Sequence, residues 1–154
     1  MKSGIRSLLF GLVTIGVSTA YAERLDPGAT EGVVFVGAVS DHGTIGAGIG
    51  RALNTRWLVM GEIGYVSSRA AEFAVNGHYV FPIRNHPDLT PYALVGLGVL
   101  AGSGKNDARF GANIGGGLRW QTGKNWGIRP EIRALIGDGS YGRFTVGLFY
   151  NFGN

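Results

Sequence analysis

The residues from Arg143 to Phe152 alternate with period two. Phe144, Val146, Leu148, Tyr150 and Phe152 fall on one face, and Thr145, Gly147, Phe149 and Asn151 on the other. Large apolar groups on one side and mainly small or polar ones on the other define a β-strand between two different environments. In a soluble fold an aromatic-rich face of this kind is a sticky edge. In a closed barrel the same face touches lipid and every backbone donor and acceptor is paired around the ring.

Seven earlier segments belong to the same scheme, so that eight are predicted in all, at residues 32–40, 44–53, 56–67, 72–83, 91–101, 109–121, 126–136 and 143–152. The separators carry glycine, proline, asparagine, aspartate or serine at turn positions, with 68–71 the weakest of them. No segment has a convincing helical period. The segments are near the length a tilted strand needs to cross a bilayer. An even number of such strands joined by short turns predicts an all-β fold, an eight-stranded antiparallel up-and-down transmembrane β-barrel. The 28 glycines do not signal disorder, because 45% of the chain is hydrophobic. They sit within the alternating segments, where side chains would crowd a narrow lumen.

The faces can be assigned in most segments. Outward positions include Ile45, Ala47 and Ile49; Trp57, Val59, Ile63 and Tyr65; Phe73, Val75, Tyr79 and Phe81. They continue with Phe110, Ala112, Ile114, Leu118 and Trp120, and with Trp126, Ile128, Ile132 and Ile136. The first segment is apolar on both faces through Val33, Val34, Phe35 and Val36, and its facing is left open. Height gives a separate check. With the strands numbered up and down from a periplasmic N-terminus, Trp57, Tyr79, Phe81, Trp120, Trp126, Tyr150 and Phe152 share one end. Tyr65, Phe73, Phe110 and Phe144 lie toward the other, so two aromatic girdles flank an aliphatic band. Pro130 falls inside the seventh segment and removes a ladder donor, which predicts a bulge there.

The N-terminus reads as an export signal. Lys2 and Arg6 precede an apolar run at 8–17, and Ala20-Tyr21-Ala22 is a small-x-small cleavage site. The expected organisation is a cleaved signal peptide at 1–22 and a barrel domain at 23–154. Lys2 and Arg6 account for two of the formal net charge of +4, and the remaining basic residues are scattered, which argues against a nucleic-acid partner. The chain has no cysteine, which excludes disulfides and thiolate metal sites.

Pro91-Tyr92-Ala93 with Gly96-Leu97-Gly98, Arg129-Pro130-Glu131-Ile132-Arg133, and the closing Gly147-Leu148-Phe149-Tyr150-Asn151-Phe152 resemble the outer-membrane β-barrel domain family of Gram-negative bacteria, the small OmpA/OmpX-like eight-stranded barrels. The resemblance covers nearly all of residues 23–154. It implies a monomer in the outer membrane, with outer-membrane lipids and, during biogenesis, the barrel-assembly machinery as partners. Thr145, Gly147, Tyr150 and Phe152 resemble the signal that this machinery reads, although Gly153 and Asn154 follow the last aromatic.

Other motifs have plainer explanations. Gly46-Ala47-Gly48-Ile49-Gly50 and Gly96-Leu97-Gly98 suggest a dinucleotide loop, but period two runs through both and no helix follows. Gly102-Ser103-Gly104-Lys105 lacks the earlier glycine of a phosphate loop, and Asn106 stands where Ser or Thr is needed. Of the histidines, His42 lies in a tight turn beside Ser40 and Asp41, and His78 points inward with no serine nearby in sequence. A nucleophile must sit within reach of its base, so the chain is not expected to be an enzyme, and no cofactor or metal is expected.

The inward charges are better placed for a role. Arg129 and Arg133 flank Glu131 on one face, Arg119 lies lower on the adjacent strand, and Glu62 stands at a similar height across the barrel. Buried charges must pair, so Glu62, Arg119, Arg129, Glu131 and Arg133 are expected to form a lumen charge network. Eight strands leave just enough interior for side chains. The leading expectation is therefore a structural or surface-interaction barrel that supports envelope integrity. The alternatives are a narrow ion-conducting barrel and a lipid A-modifying enzyme. A soluble barrel of lipocalin type would reverse the two faces.

Overall fold

A computed structural model describes residues 25–67, 70–102 and 108–152. The expected signal peptide, most of the stretch 102–105, and Gly153 and Asn154 lie outside these residues. The described residues form eight strands: β1 Thr30–Val39, β2 His42–Ala52, β3 Trp57–Val66, β4 Ala70–Val80, β5 Leu89–Ala101, β6 Ala108–Gln121, β7 Trp126–Gly137 and β8 Tyr141–Phe152. Each pairs antiparallel with the next. β8 returns to β1, from Thr30 opposite Phe152 to Val39 opposite Arg143, and the barrel is closed. The end carrying Thr30 and Phe152 is called the lower end below.

The strands follow the alternation closely. β4 begins at Ala70 and stops at Val80, short of the expected residue 83. Pro82 has no N–H to continue the ladder, and the chain leaves the sheet after Phe81 donates to the Pro91 carbonyl at 2.8 Å. The wall is apolar outside, with Leu97 71% and Ile132 66% exposed. The two aromatic groups stand at opposite ends. At the lower end Tyr79 makes edge contacts with Trp57 and Phe81 at 5.1 and 4.9 Å between centroids, as Tyr150 does with Phe152 at 5.0 Å.

Two points differ from the sequence-based picture. Pairing settles the facing of β1: Val34 opposes outward Leu148 and Val36 opposes outward Val146, which turns Val33, Phe35 and Val39 into the lumen. Pro130 makes no bulge. The β6–β7 ladder lapses between Gly117–Glu131 and Trp120–Ile128 and resumes in the same register, so no residue is inserted. β7 pairs with β8 without a break through Pro130. The lost donor is absorbed as a local gap on one side only.

The lumen is layered. Near the lower end Leu25, Ala52, Leu58, Val80, Leu94 and Phe149 are buried together. Near the upper end Val39, Val66 and Ala70 pack with Leu100 and Tyr141. The buried charges lie below the upper layer and extend down into the lower one, where Arg119 lies over the Phe149 ring and Glu31 is one residue from the lower end of β1.

Candidate functional site: a lumen of paired charges

Four glutamates, Glu31, Glu62, Glu72 and Glu131, and four arginines, Arg119, Arg129, Arg133 and Arg143, are buried among the described residues. Their formal charges cancel. They reach the lumen from β1, β3, β4, β6, β7 and β8, because period two turns each inward and the register sets its height.

The five residues expected to form the network are all brought together. Arg129 donates from Nη2 to Glu62 Oε1 at 2.9 Å, and its Nη1 lies 3.4 Å from Glu31 Oε1 and 3.0 Å from Met60 Sδ. Arg133 donates from Nε to Glu131 Oε1 at 2.8 Å, and its Nη2 also pairs with Glu62 Oε2. Arg119 pairs with Glu31 and lies over the Phe149 ring at 4.4 Å. Glu62 therefore serves several arginines, and Arg129 several glutamates.

Three network members lay outside the expected set. Glu31 lies one residue before the expected start of the first segment, whose facing the sequence leaves open, and β1 in fact begins at Thr30. Glu72 and Arg143 join through Arg143 Nη1 to Glu72 Oε1 at 2.9 Å, and Arg143 Nη2 lies 3.5 Å from Glu62 Oε2. The partners are 71 residues apart, so only the register brings them together. The alternation of residues 72–83 and 143–152 had already marked both side chains as inward.

Neutral polar groups complete the layer. Tyr92 donates from Oη to Glu131 Oε2 at 2.7 Å, and its ring stacks on His78 at 4.9 Å with an interplanar angle of 4°. Asn113 donates to Asn76 Oδ1 at 2.9 Å. Arg143 also lies 4.2 Å from the Phe35 ring centroid. The lumen glycines make room for these groups. A Cβ at Gly48 would stand 2.9 Å from Glu62 Cγ, and one at Gly117 would stand 2.7 Å from Tyr92 Oη. Both glycine-rich runs lie inside strands, β2 and β5, and so do not open helices. The four assembly-signal residues divide by face: Thr145 and Gly147 point inward, and Tyr150 and Phe152 stand in the lower girdle.

The three histidines are dispersed. His42, expected in the turn, is the first residue of β2 at the upper end, with Nδ1 2.8 Å from Asp41 Oδ1; His78 is in the lumen, and His86 is in the lower β4–β5 connection.

No family model and no curated protein matches the sequence. Solved structures do match. The N-terminal β-barrel domain of Pseudomonas aeruginosa OprF aligns with TM-score 0.71 at 19% identity, over 82% of this chain and 98% of that one. A de novo designed transmembrane β-barrel aligns with TM-score 0.70 at 19% identity, over 84% of this chain and 100% of that one. The attachment invasion locus protein Ail of Yersinia pestis aligns with TM-score 0.57 at 16% identity, over 82% of this chain and 100% of that one. Taken with the closed eight-stranded sheet and its apolar exterior, these likenesses give the chain the fold of the small eight-stranded outer-membrane barrels.

Proposed function

We propose that the protein is exported to the outer membrane and serves there as a plugged barrel, in envelope integrity or a surface interaction. The observation that carries this reading is the charge-balanced set of four glutamates and four arginines that fills the lumen, none of them more than 6% exposed. Paired buried charges have no low-energy state apart from one another. The fold shared with OprF and Ail supports the location. Catalysis receives no support from the histidines. A lipid-modifying barrel would place a histidine and a serine on the lipid-facing wall, whereas the three histidines occupy the upper end of β2, the lumen and a connection.

The sharing of partners favours a second reading, a narrow gated conductor. Arg129 touches Glu31 and Glu62, and Arg143 touches Glu72 and Glu62, so a guanidinium can exchange acids without becoming unpaired. Planar-bilayer recording separates the readings. The plugged barrel gives a silent bilayer after insertion, with insertion verified by the different gel mobility of folded and boiled protein. Discrete conductance steps from the wild-type protein would move the gate to first place.

A further inference from the structure

The outer wall carries a furrow of about 810 Å³ running from β2 to β6. One bank is the row Ile49, Gly61, Val75 and Leu97, in which each residue opposes the next across a strand pair. The other bank is the row above it, with Ile63, Phe73, Val99 and Phe110 as its large members. The floor is the backbone between the rows, with Gly48 and Gly98 in it. The furrow is open where Gly61 and Ala47 interrupt the banks. It crosses four strand spacings, roughly 19 Å at about 4.8 Å each. Because strands tilt in a barrel, it climbs obliquely from Ile49, near the lower end of β2, to Phe110, near the upper end of β6.

A cation stands at its lower end. Arg51 follows Ile49 on the same outward face of β2 and is exposed, and its Nη2 lies 3.9 Å from where a Gly28 Cβ would be. Its guanidinium is therefore held at the lower rim, at the level of the aromatic girdle. Across the β2–β3 turn, exposed Arg56 donates to Tyr79 Oη at 2.8 Å. Asn54 Oδ1 fixes this turn by accepting from the Arg56 and Trp57 amides, both at 2.9 Å. An apolar furrow leading to a cation at headgroup height suits a lipid with a phosphate at one end.

We propose that this furrow is a specific site for an anionic glycerophospholipid of the leaflet at the lower rim. Its phosphate is bound by Arg51, and one acyl chain lies between the banks. The proposal rests on the membrane-barrel reading above. It goes beyond that reading by separating one held lipid from the general lipid coat.

The test is native mass spectrometry of the folded barrel released from nanodiscs containing equal amounts of dioleoyl phosphatidylglycerol and dioleoyl phosphatidylcholine. The wild type is expected to retain one phosphatidylglycerol, preferred about fivefold, as one arginine at a lipid surface provides. Arg51→Gln removes the preference. Gly61→Leu fills the furrow and lowers retention of both lipids, and it has room to fold because a Cβ there meets nothing nearer than the Ile49 carbonyl oxygen at 3.9 Å. Val146→Leu, an outward change on β8, which pairs with no furrow strand, leaves retention unchanged. Equal retention of the two lipids by the wild type, full retention by Gly61→Leu, or a dimer in place of the lipid adduct would overturn the proposal. A wild-type chain that fails to enter nanodiscs overturns the membrane-barrel reading itself, so the two failures are distinguishable.

Discussion

Glu62 touches three arginines, Arg129, Arg133 and Arg143. Glu62→Gln keeps the shape and removes the charge, leaving the lumen one positive charge in excess. It is expected to cost about 3–5 kcal/mol, read from urea unfolding in lipid vesicles. Glu131 and Arg133 form a coupled pair on one strand, so Arg133→Gln should cost less in a Glu131→Gln background than alone. Strict additivity in that double-mutant cycle would show that the two charges do not interact. Tyr92→Phe tests the neutral edge of the network. It removes only the hydroxyl that bonds Glu131, and a loss of about 1.5–3 kcal/mol is expected for a hydrogen bond to a charged group.

At the scale of the strand, the decisive property is which face meets lipid. Ile132 and Ile114 project from the centres of β7 and β6, 66% and 55% exposed. Arginine at either should destabilise the barrel by about 2–4 kcal/mol, against little change for leucine, measured by the same unfolding assay. The inward neighbour Gly115 is no tolerant counterpart, because a Cβ there would stand 2.7 Å from Arg133 Cα. Lumen positions are thus limited by volume and wall positions by charge. β7 shows how a strand accommodates an unfavourable residue: Pro130 interrupts pairing with β6 while β8 holds the register on the other side.

The whole molecule depends on closure between β1 and β8, which share ten register pairs. Tyr150 and Phe152 stand at the lower end of the closing strand, the latter opposite Thr30. Replacing both with serine is expected to prevent outer-membrane insertion, so that fractionation finds the chain in the periplasm at reduced level. Normal outer-membrane amounts of the double variant would reject these aromatics as the assembly signal.

Much of this was readable along the chain. The eight strands, the outward aliphatic band and the two girdles follow from period two and residue height, which are properties of single segments. Glu62, Arg119, Arg129, Glu131 and Arg133 could be placed inside for the same reason. Register is a relation between segments, and no single segment carries it. It decided that Glu72 meets Arg143, that Glu31 faces inward to pair with Arg119, and that an apolar cluster covers the charges at the upper end. The furrow beside Gly61 is likewise a product of three dimensions, because its banks come from strands that become neighbours only when the sheet is paired. Alternation determines what each side chain faces, and closure of the barrel determines which side chains it meets there.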